Sequence, residues 1–184
     1  MSYFYIKKIT VTGKHVEASS IDFENGLNII CGPSDTGKSY IAECLDYMFG
    51  SSSIRFDSTS GFDCFYLIIS TTDGDITLER KLNSKKINVS SLNRLIESGE
   101  YSIGTGDDSI GYLWLKLINI YEPYKVISNS NYKKQKLTWR TFLHMFLIKE
   151  SRVFQEKSII LPTQNTAQTA ALSALLFLMT GKDY

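Results

Sequence analysis

The sequence has few of the residues that stabilise small disulfide-rich or metal-dependent folds. Its 184 residues include three cysteines, Cys31, Cys44 and Cys64, and only two histidines. The cysteines are odd in number, widely spaced and form no CxxC pair. These features disfavour a disulfide framework and a zinc site, and they favour a reducing, cytoplasmic compartment.

An excess of one charge and a long apolar run are also lacking. Twenty Lys and Arg residues against 19 Asp and Glu residues leave a net charge of +1, so overall charge predicts no partner and any anion binding must depend on local placement. The apolar run "AALSALLFLMTG" is too short to span a bilayer, and a buried helix is the preferred interpretation. No membrane partner is expected.

Apolar periodicity predicts strands in the first half of the chain and helices towards its end. Strands are predicted at 3–11, 62–70, 75–82 and, weakly, 85–90. Helices are predicted at 38–50, 90–99, 107–121, 137–150 and 163–181. Gly50 is the expected C-terminal stop of the first helix. The fourth is expected to start at a Thr138 cap and to pass into a short strand. Residues 122–136 are predicted to be a polar, lysine-containing connection.

Two dipeptides predict tight turns. Asn25-Gly26 lies between a short strand and the apolar "LNIIC", which indicates a hairpin whose second strand is 27–31. Asp73-Gly74 connects the strands at 62–70 and 75–82, which must then be antiparallel because a parallel pair needs a long crossover.

The stretch "GPSDTGKSY", residues 32–40, matches the pattern G-x-x-x-x-G-K-[ST]. Glycines let the backbone wrap so that successive N–H groups point at phosphate oxygens, and the N-terminus of the following helix favours anions. Lys38 would supply a charge for the β- and γ-phosphates, and Ser39 a hydroxyl for Mg²⁺. Because a predicted strand precedes the loop and a helix follows it, nucleotide binding is preferred over an ordinary glycine-rich turn.

The whole loop is therefore predicted to contact the nucleotide. Asp35 is unexpected among phosphates, and its carboxylate is expected to point outward or to touch a partner. The predicted nucleotide-binding residues of the loop are Gly32, Pro33, Ser34, Asp35, Thr36, Gly37, Lys38, Ser39 and Tyr40.

Beyond the loop, residues 4–50 resemble the N-terminal head segment of SMC-like ABC ATPases, the P-loop ATPase group that includes SMC proteins, SbcC, RecF and RecN. The resemblance is looser, but still in order, through "ITLERKL" and "FLIKE". The pieces that carry it, in chain order, are Ile6–Val11, Lys14, Asp22-Phe23, Gly26-Leu27-Asn28, Gly32–Ser39 and Phe49-Gly50.

The resemblance implies an α/β P-loop NTPase fold, the N-terminal lobe of an ABC-type head with an antiparallel β subdomain beside the P-loop core. Residues 1–164 would form this lobe, and 165–184 a helix at the root of a coiled coil. ATP and Mg²⁺ would be the cofactors. The partners would be a second head, the C-terminal half of the same polypeptide, and DNA in repair, chromosome handling or defence.

The resemblance also assigns four residues outside the loop. Lys14 stands where relatives often hold an arginine near the nucleotide, and Arg80 where they have an arginine after a β-arm strand. Either could equally be a solvated charge. In the family a glutamine after a strand senses the γ-phosphate; the register here places Glu150 at that position and Gln155 five residues later.

Two parts of a hydrolytic site do not occur in these residues. The first is a carboxylate at the end of an apolar strand, which would hold Mg²⁺ and position water; no four-residue apolar run here ends in Asp or Asp-Glu. The second is an "LSGG"-like signature, which the sequence also lacks. In the resembled family both lie in a C-terminal segment. The chain is interpreted as the N-terminal part of a head that binds ATP without turning it over.

Three classes of function stay open. The first is an SMC-like ATPase acting on DNA. The second is a non-hydrolysing, nucleotide-gated dimerisation or interaction module. The third, a P-loop kinase or transport ATPase, is disfavoured by the antiparallel strands. Lysines at 85–86, 133–134 and 136 could meet a phosphate backbone, but a solvated surface is the favoured interpretation.

Overall fold

The computed structural model describes residues 3–55, 58–156, 158–164 and 167–182. The chain divides into two compact units, Met1–Ile120 and Tyr121–Tyr184. In the described part of the chain, every helix is too short or too polar to cross a membrane.

The first unit is built on a six-stranded antiparallel sheet. Its strand order is β2-β1-β3-β4-β5-β6. The antiparallel pairing predicted for the strands at 62–70 and 75–82, which are β3 and β4 of the structure, is thus confirmed. The strands are β1 (Phe4–Gly13), β2 (Val16–Asp22), β3 (Cys64–Thr71), β4 (Gly74–Lys81), β5 (Lys86–Ser91) and β6 (Gly99–Ser102).

Alternating side chains of the central strands form the core of this unit. Phe65, Leu67 and Ile69 of β3 are fully buried, as are Ile76 and Leu78 of β4. This spacing of two places these five side chains on one face of the sheet.

Two α-helices lie among the described residues of the first unit, α1 (Lys38–Met48) and α2 (Ile110–Leu117), together with a short 3-10 helix at Ser58–Ser60. Tyr47 of α1 packs edge-on against Phe65 of β3, with ring centroids 5.2 Å apart. The predicted end of α1 at Gly50 is confirmed, since this glycine has a φ of +97° and so terminates the helix without steric strain.

The predicted hairpin around Asn25-Gly26 is wrong. β1 and β2 form the hairpin instead, with Lys14 and His15 as the turn between Gly13 and Val16. Residues 23–37 lie outside any helix or strand.

The side chain of Asn28 explains why the Asn25-Gly26 turn does not join two strands. Its amide donates to the carbonyls of Glu24 and Gly26, at 2.8 and 3.1 Å, and its oxygen accepts from the backbone N–H of Glu24 at 2.9 Å. These local bonds compete with strand pairing.

The helix predicted at 90–99 is also wrong. Its first residues end β5, and Asn93 organises a loop: its oxygen accepts from the N–H of Leu95 at 2.8 Å, and its amide donates to Thr71 at 2.7 Å. The turn between β3 and β4 lies one residue earlier than predicted, at Thr72-Asp73, with Gly74 opening β4.

Within its described residues, the second unit contains a two-stranded antiparallel sheet and three α-helices. The polar connection predicted at 122–136 is in fact the hairpin β7–β8, and no strand follows α3 within the described residues. The predicted Thr138 cap of α3 is confirmed by a capping box with Thr141. The elements are β7 (Lys125–Ile127), β8 (Lys134–Lys136), α3 (Trp139–Phe146), α4 (Glu150–Val153) and α5 (Gln168–Thr180).

Contacts of α5 hold the second unit together. The helix packs on β7 and α3, with the rings of Tyr124 and Phe177 4.6 Å apart. It ends at Gly181, whose φ is +71°, as its sequence predicts. Its assignment to the root of a coiled coil stays a prediction.

Candidate nucleotide-binding site

The glycine loop runs directly into the N-terminus of α1. Gly37 is the N-cap residue of this helix and has a φ of +84°, a backbone conformation that favours glycine. Asp35 also lies in the left-handed region, with a φ of +60°, which aspartate tolerates better than most residues. The backbone N–H groups of the first helical turn therefore open towards the loop.

The ammonium group of Lys38 folds back over this loop. It donates to the carbonyl of Gly32 at 2.8 Å, to the carbonyl of Pro33, and to the hydroxyl of Thr36 at 3.2 Å. The Thr36 hydroxyl in turn donates to the Pro33 carbonyl at 2.9 Å. The loop thus holds the positive charge of Lys38 at its own centre.

Space at Gly32 is limited by the same contacts. A Cβ atom at this position would lie 3.3 Å from the Thr36 hydroxyl and 4.0 Å from the side chain of Lys38. Glycine at 32 and at 37 is therefore required for different reasons, close approach in one case and a positive φ in the other.

A cavity of about 540 Å³ adjoins Lys38. Its size lies within the ordinary range of small-molecule sites. The strand residues of its wall were missed by sequence reasoning, because their alternation is that of any buried strand. The walls come from β1 and β2 (Ile9, Thr10, Val11, Ser19, Ser20, Ile21), the loop (Ile30, Cys31, Thr36, Gly37), α1 (Lys38, Tyr40, Ile41, Cys44) and Ser60 and Phe62.

Two cysteines face this cavity in different environments. Cys31 is exposed, whereas Cys44 is buried. Burial, and to a smaller extent the charge of Glu43, raises the pKa of the Cys44 thiol to about 12. Cys44 therefore stays a neutral thiol at ordinary pH.

Of the predicted residues outside the loop, those in the first unit, Lys14 and Arg80, are not among the residues that line this cavity. Lys14 is exposed in the β1–β2 turn and does not line it. Glu150 and Gln155 belong to the second unit, where the oxygen of Gln155 accepts from Arg152 at 3.3 Å.

Arg80, predicted either to lie near the nucleotide or to be a solvated charge, is buried. Only 1% of Arg80 is exposed, and its guanidinium donates to the carbonyls of Tyr47, Ser51 and Ser84. It also lies over the Tyr47 ring, with Cζ 3.5 Å from the centroid. These contacts are at the C-terminal end of α1, about 16 Å along the helix from the glycine loop.

A set of acidic ligands for a metal is not found in the part of the chain that the structure describes. No group of three or more His, Cys, Asp or Glu side chains is close enough to hold an ion. Ser39, in the first turn of α1, remains the predicted Mg²⁺ ligand.

A glycine loop at a helix N-terminus, beside an antiparallel sheet, defines the N-terminal lobe of a P-loop ATPase of the ABC type. Residues 8–177 match the AAA domain family, and the chain belongs to this family. Within it, the chain is an SMC- and RecF-like N-terminal segment.

The chain is also similar to three curated bacterial proteins, each named DNA replication and repair protein RecF. They come from Francisella tularensis subspecies mediasiatica, novicida and tularensis. Each is 27% identical over 165 residues, which cover 84% of this chain and 44% of the relative. The chain thus spans less than half the length of these relatives.

Proposed function

We propose that the chain binds ATP with Mg²⁺ at residues 32–40, as part of an SMC/RecF-like ATPase head. The position of Lys38 carries this proposal: its ammonium lies over a glycine loop at the N-terminus of an 11-residue helix. A triphosphate would take over the hydrogen bonds that Lys38 now makes to the loop, and Ser39 would offer its hydroxyl to the metal. The adjoining cavity is large enough for a nucleoside.

The test of this proposal is a titration with MgATP. Lys38→Ala should lose most of the affinity, at least about tenfold, because a charge and its phosphate hydrogen bonds disappear. Lys85→Ala, an exposed lysine of the same unit, serves as the control and should bind as the parent does. Unchanged affinity in folded Lys38→Ala protein would refute the assignment.

Hydrolysis is proposed to require residues beyond this chain. The segment 27–31 supports this, since it is apolar yet unpaired within the described residues, with Leu27 88% and Ile29 75% exposed. A strand from the C-terminal half of the polypeptide would pair with it and bury these side chains. That half would also supply the strand-end carboxylate and the signature loop.

An exposed stripe on α5 supports the coiled-coil root. Leu172, Leu176 and Met179 are 48%, 45% and 76% exposed and follow the spacing i, i+4, i+7, which is that of a helix–helix seam. Action on DNA in repair is extended from the relatives named DNA replication and repair protein RecF. Assembly with a second head, and the alternatives of chromosome handling or defence, are extended from the resemblance to SMC-like ABC ATPases.

The absence of a strand-end Asp-Glu in these residues favours one alternative, a nucleotide-gated interaction module without hydrolysis. The two functions differ in whether the complete polypeptide releases phosphate from ATP.

A further inference from the structure

The near-neutral charge of the chain conceals a division between its two units. Residues 1–120 carry 11 Lys and Arg against 15 Asp and Glu, a net charge of −4, whereas residues 121–184 carry nine against four, a net charge of +5. A unit of about 60 residues with this excess of positive charge attracts polyanions.

Lysines of the second unit are concentrated on the hairpin β7–β8. Lys125 is paired with Lys136, and Ile127 with Lys134. Because directly opposed residues share a face, three lysines lie on one side of the ribbon. Lys133, one residue before β8, alternates to the other side and is exposed at the end of the turn, whereas Lys136 is half-buried.

Three lysines of the hairpin, Lys125, Lys133 and Lys134, are exposed. Across the described residues, no carboxylate forms an ion pair with any of them. A bound polyanion would supply this missing counter-charge.

The hairpin is firmly seated in its unit. Val126 on its other face is 2% exposed, and Leu137 after β8 is 1% exposed. The Tyr124 ring, one residue before β7, contacts Phe177 of α5. The lysines therefore stand on a rigid support, which lowers the entropy lost on binding.

The tip of the hairpin is also ordered by its own side chains. The oxygen of Asn129 accepts from the N–H groups of Asn131 and Lys133, both at 3.1 Å, and the Ser128 hydroxyl donates to the carbonyl of Lys133 at 2.7 Å. This turn presents Tyr132, 78% exposed, with a φ of +58°. Serine, asparagine and tyrosine side chains are common phosphate contacts in DNA complexes.

We propose that the hairpin β7–β8 is a sequence-independent binding surface for duplex DNA, with Lys125, Lys133 and Lys134 contacting backbone phosphates. A two-stranded ribbon fits the major groove of B-DNA. Single-strand binders use a series of aromatic platforms, whereas this hairpin exposes one aromatic side chain, Tyr132. This inference shares with the proposed function only the partner, DNA. The glycine loop does not contribute to the DNA-binding surface.

The experiment compares two triple variants of equal charge change. Lys125→Gln, Lys133→Gln and Lys134→Gln are combined in one protein. Arg55→Gln, Lys81→Gln and Arg94→Gln, in the first unit, form the matched control, since all three are exposed. Fluorescence anisotropy with a labelled random-sequence duplex, without nucleotide and over a range of salt concentrations, measures binding.

The β7–β8 variant should bind duplex at least about tenfold more weakly, with a slope of log K against log salt that is shallower by about 2.7, since each phosphate contact contributes about 0.9. The control should stay within about twofold of the parent. Equal losses in both variants, or none in the β7–β8 variant, would overturn the proposal. So would a lysine effect seen only with single-stranded DNA or only with anionic lipid vesicles.

Two additions separate this inference from the nucleotide site. Thermal melting establishes that both triple variants are folded. Lys38→Ala should bind duplex like the parent in the absence of nucleotide, so that a failure of ATP binding leaves the DNA result standing.

Discussion

At the scale of single residues, Arg80 ties the end of α1 to β4. Its guanidinium supplies donors to three backbone carbonyls and stacks on Tyr47. Arg80→Met should lower the free energy of unfolding by about 3 kcal/mol, because buried carbonyls are left without donors. Urea denaturation followed by circular dichroism measures the change.

Lys81 provides the control for this prediction. It is the next residue in the chain and is exposed, so Lys81→Met should change the free energy of unfolding by less than about 0.5 kcal/mol. If Arg80→Met were equally mild, the guanidinium contacts would not be important for stability.

The cysteines of the cavity give a second residue-scale prediction. Iodoacetamide at pH 8 should modify Cys31, which is exposed, much faster than Cys44, because burial raises the pKa of Cys44 to about 12 and leaves almost no thiolate to react. MgATP should slow the modification of Cys31, whose side chain lines the cavity beside Lys38.

Peptide mass spectrometry measures the extent of modification of Cys31 and of Cys44 in one sample. In Lys38→Ala, MgATP should give Cys31 no protection. Protection that persists in this variant would mean that the nucleotide binds elsewhere in the chain.

At the scale of elements, the segment 27–31 is the one that the proposed C-terminal strand would pair with. Its backbone joins no strand among the described residues, so its amide hydrogens should exchange with solvent within seconds, while those of β3 are protected. Adding the C-terminal part of the polypeptide should slow exchange at 27–31. Hydrogen–deuterium exchange mass spectrometry tests both statements.

Slow exchange at 27–31 in the chain alone would contradict the proposed completion, since the strand would then already have a partner. The β3 amides serve as the internal reference, because β3 is paired on both sides, with β1 and β4.

At the scale of the whole molecule, the chain should bind ATP without appreciable turnover. A cradle for the phosphates stabilises substrate, but acceleration needs contacts made in the transition state, including a carboxylate that holds Mg²⁺ and positions water. Steady-state phosphate release by the 184-residue chain should therefore equal that of Lys38→Ala. The complete polypeptide should hydrolyse ATP if its C-terminal half contains the carboxylates.

Robust phosphate release by the chain alone, dependent on Lys38, would contradict this prediction. A carboxylate within these residues would then perform the step, and Glu150→Gln would be the first variant to examine.

What the sequence determined by itself is the part of the protein that depends on neighbours in the chain. Local periodicity and glycine conformation are sufficient to predict these features. They are the loop at 32–39, the start of α1 at Lys38 and its stop at Gly50, the Thr138 cap of α3, and the alternation of β3 and β4. Short local signals suffice here because helix ends and hairpin partners lie within a few residues of each other.

Only the tertiary structure decided the rest, because it depends on partners distant in the chain. Arg80 reads as a surface charge or a nucleotide contact until α1 is placed beside β4, which buries it. Segment 27–31 has the composition of a strand but lacks a partner among the described residues, and a strand is defined by its partner. Lys125, Lys134 and Lys136 come to share one face only through the register of β7 and β8.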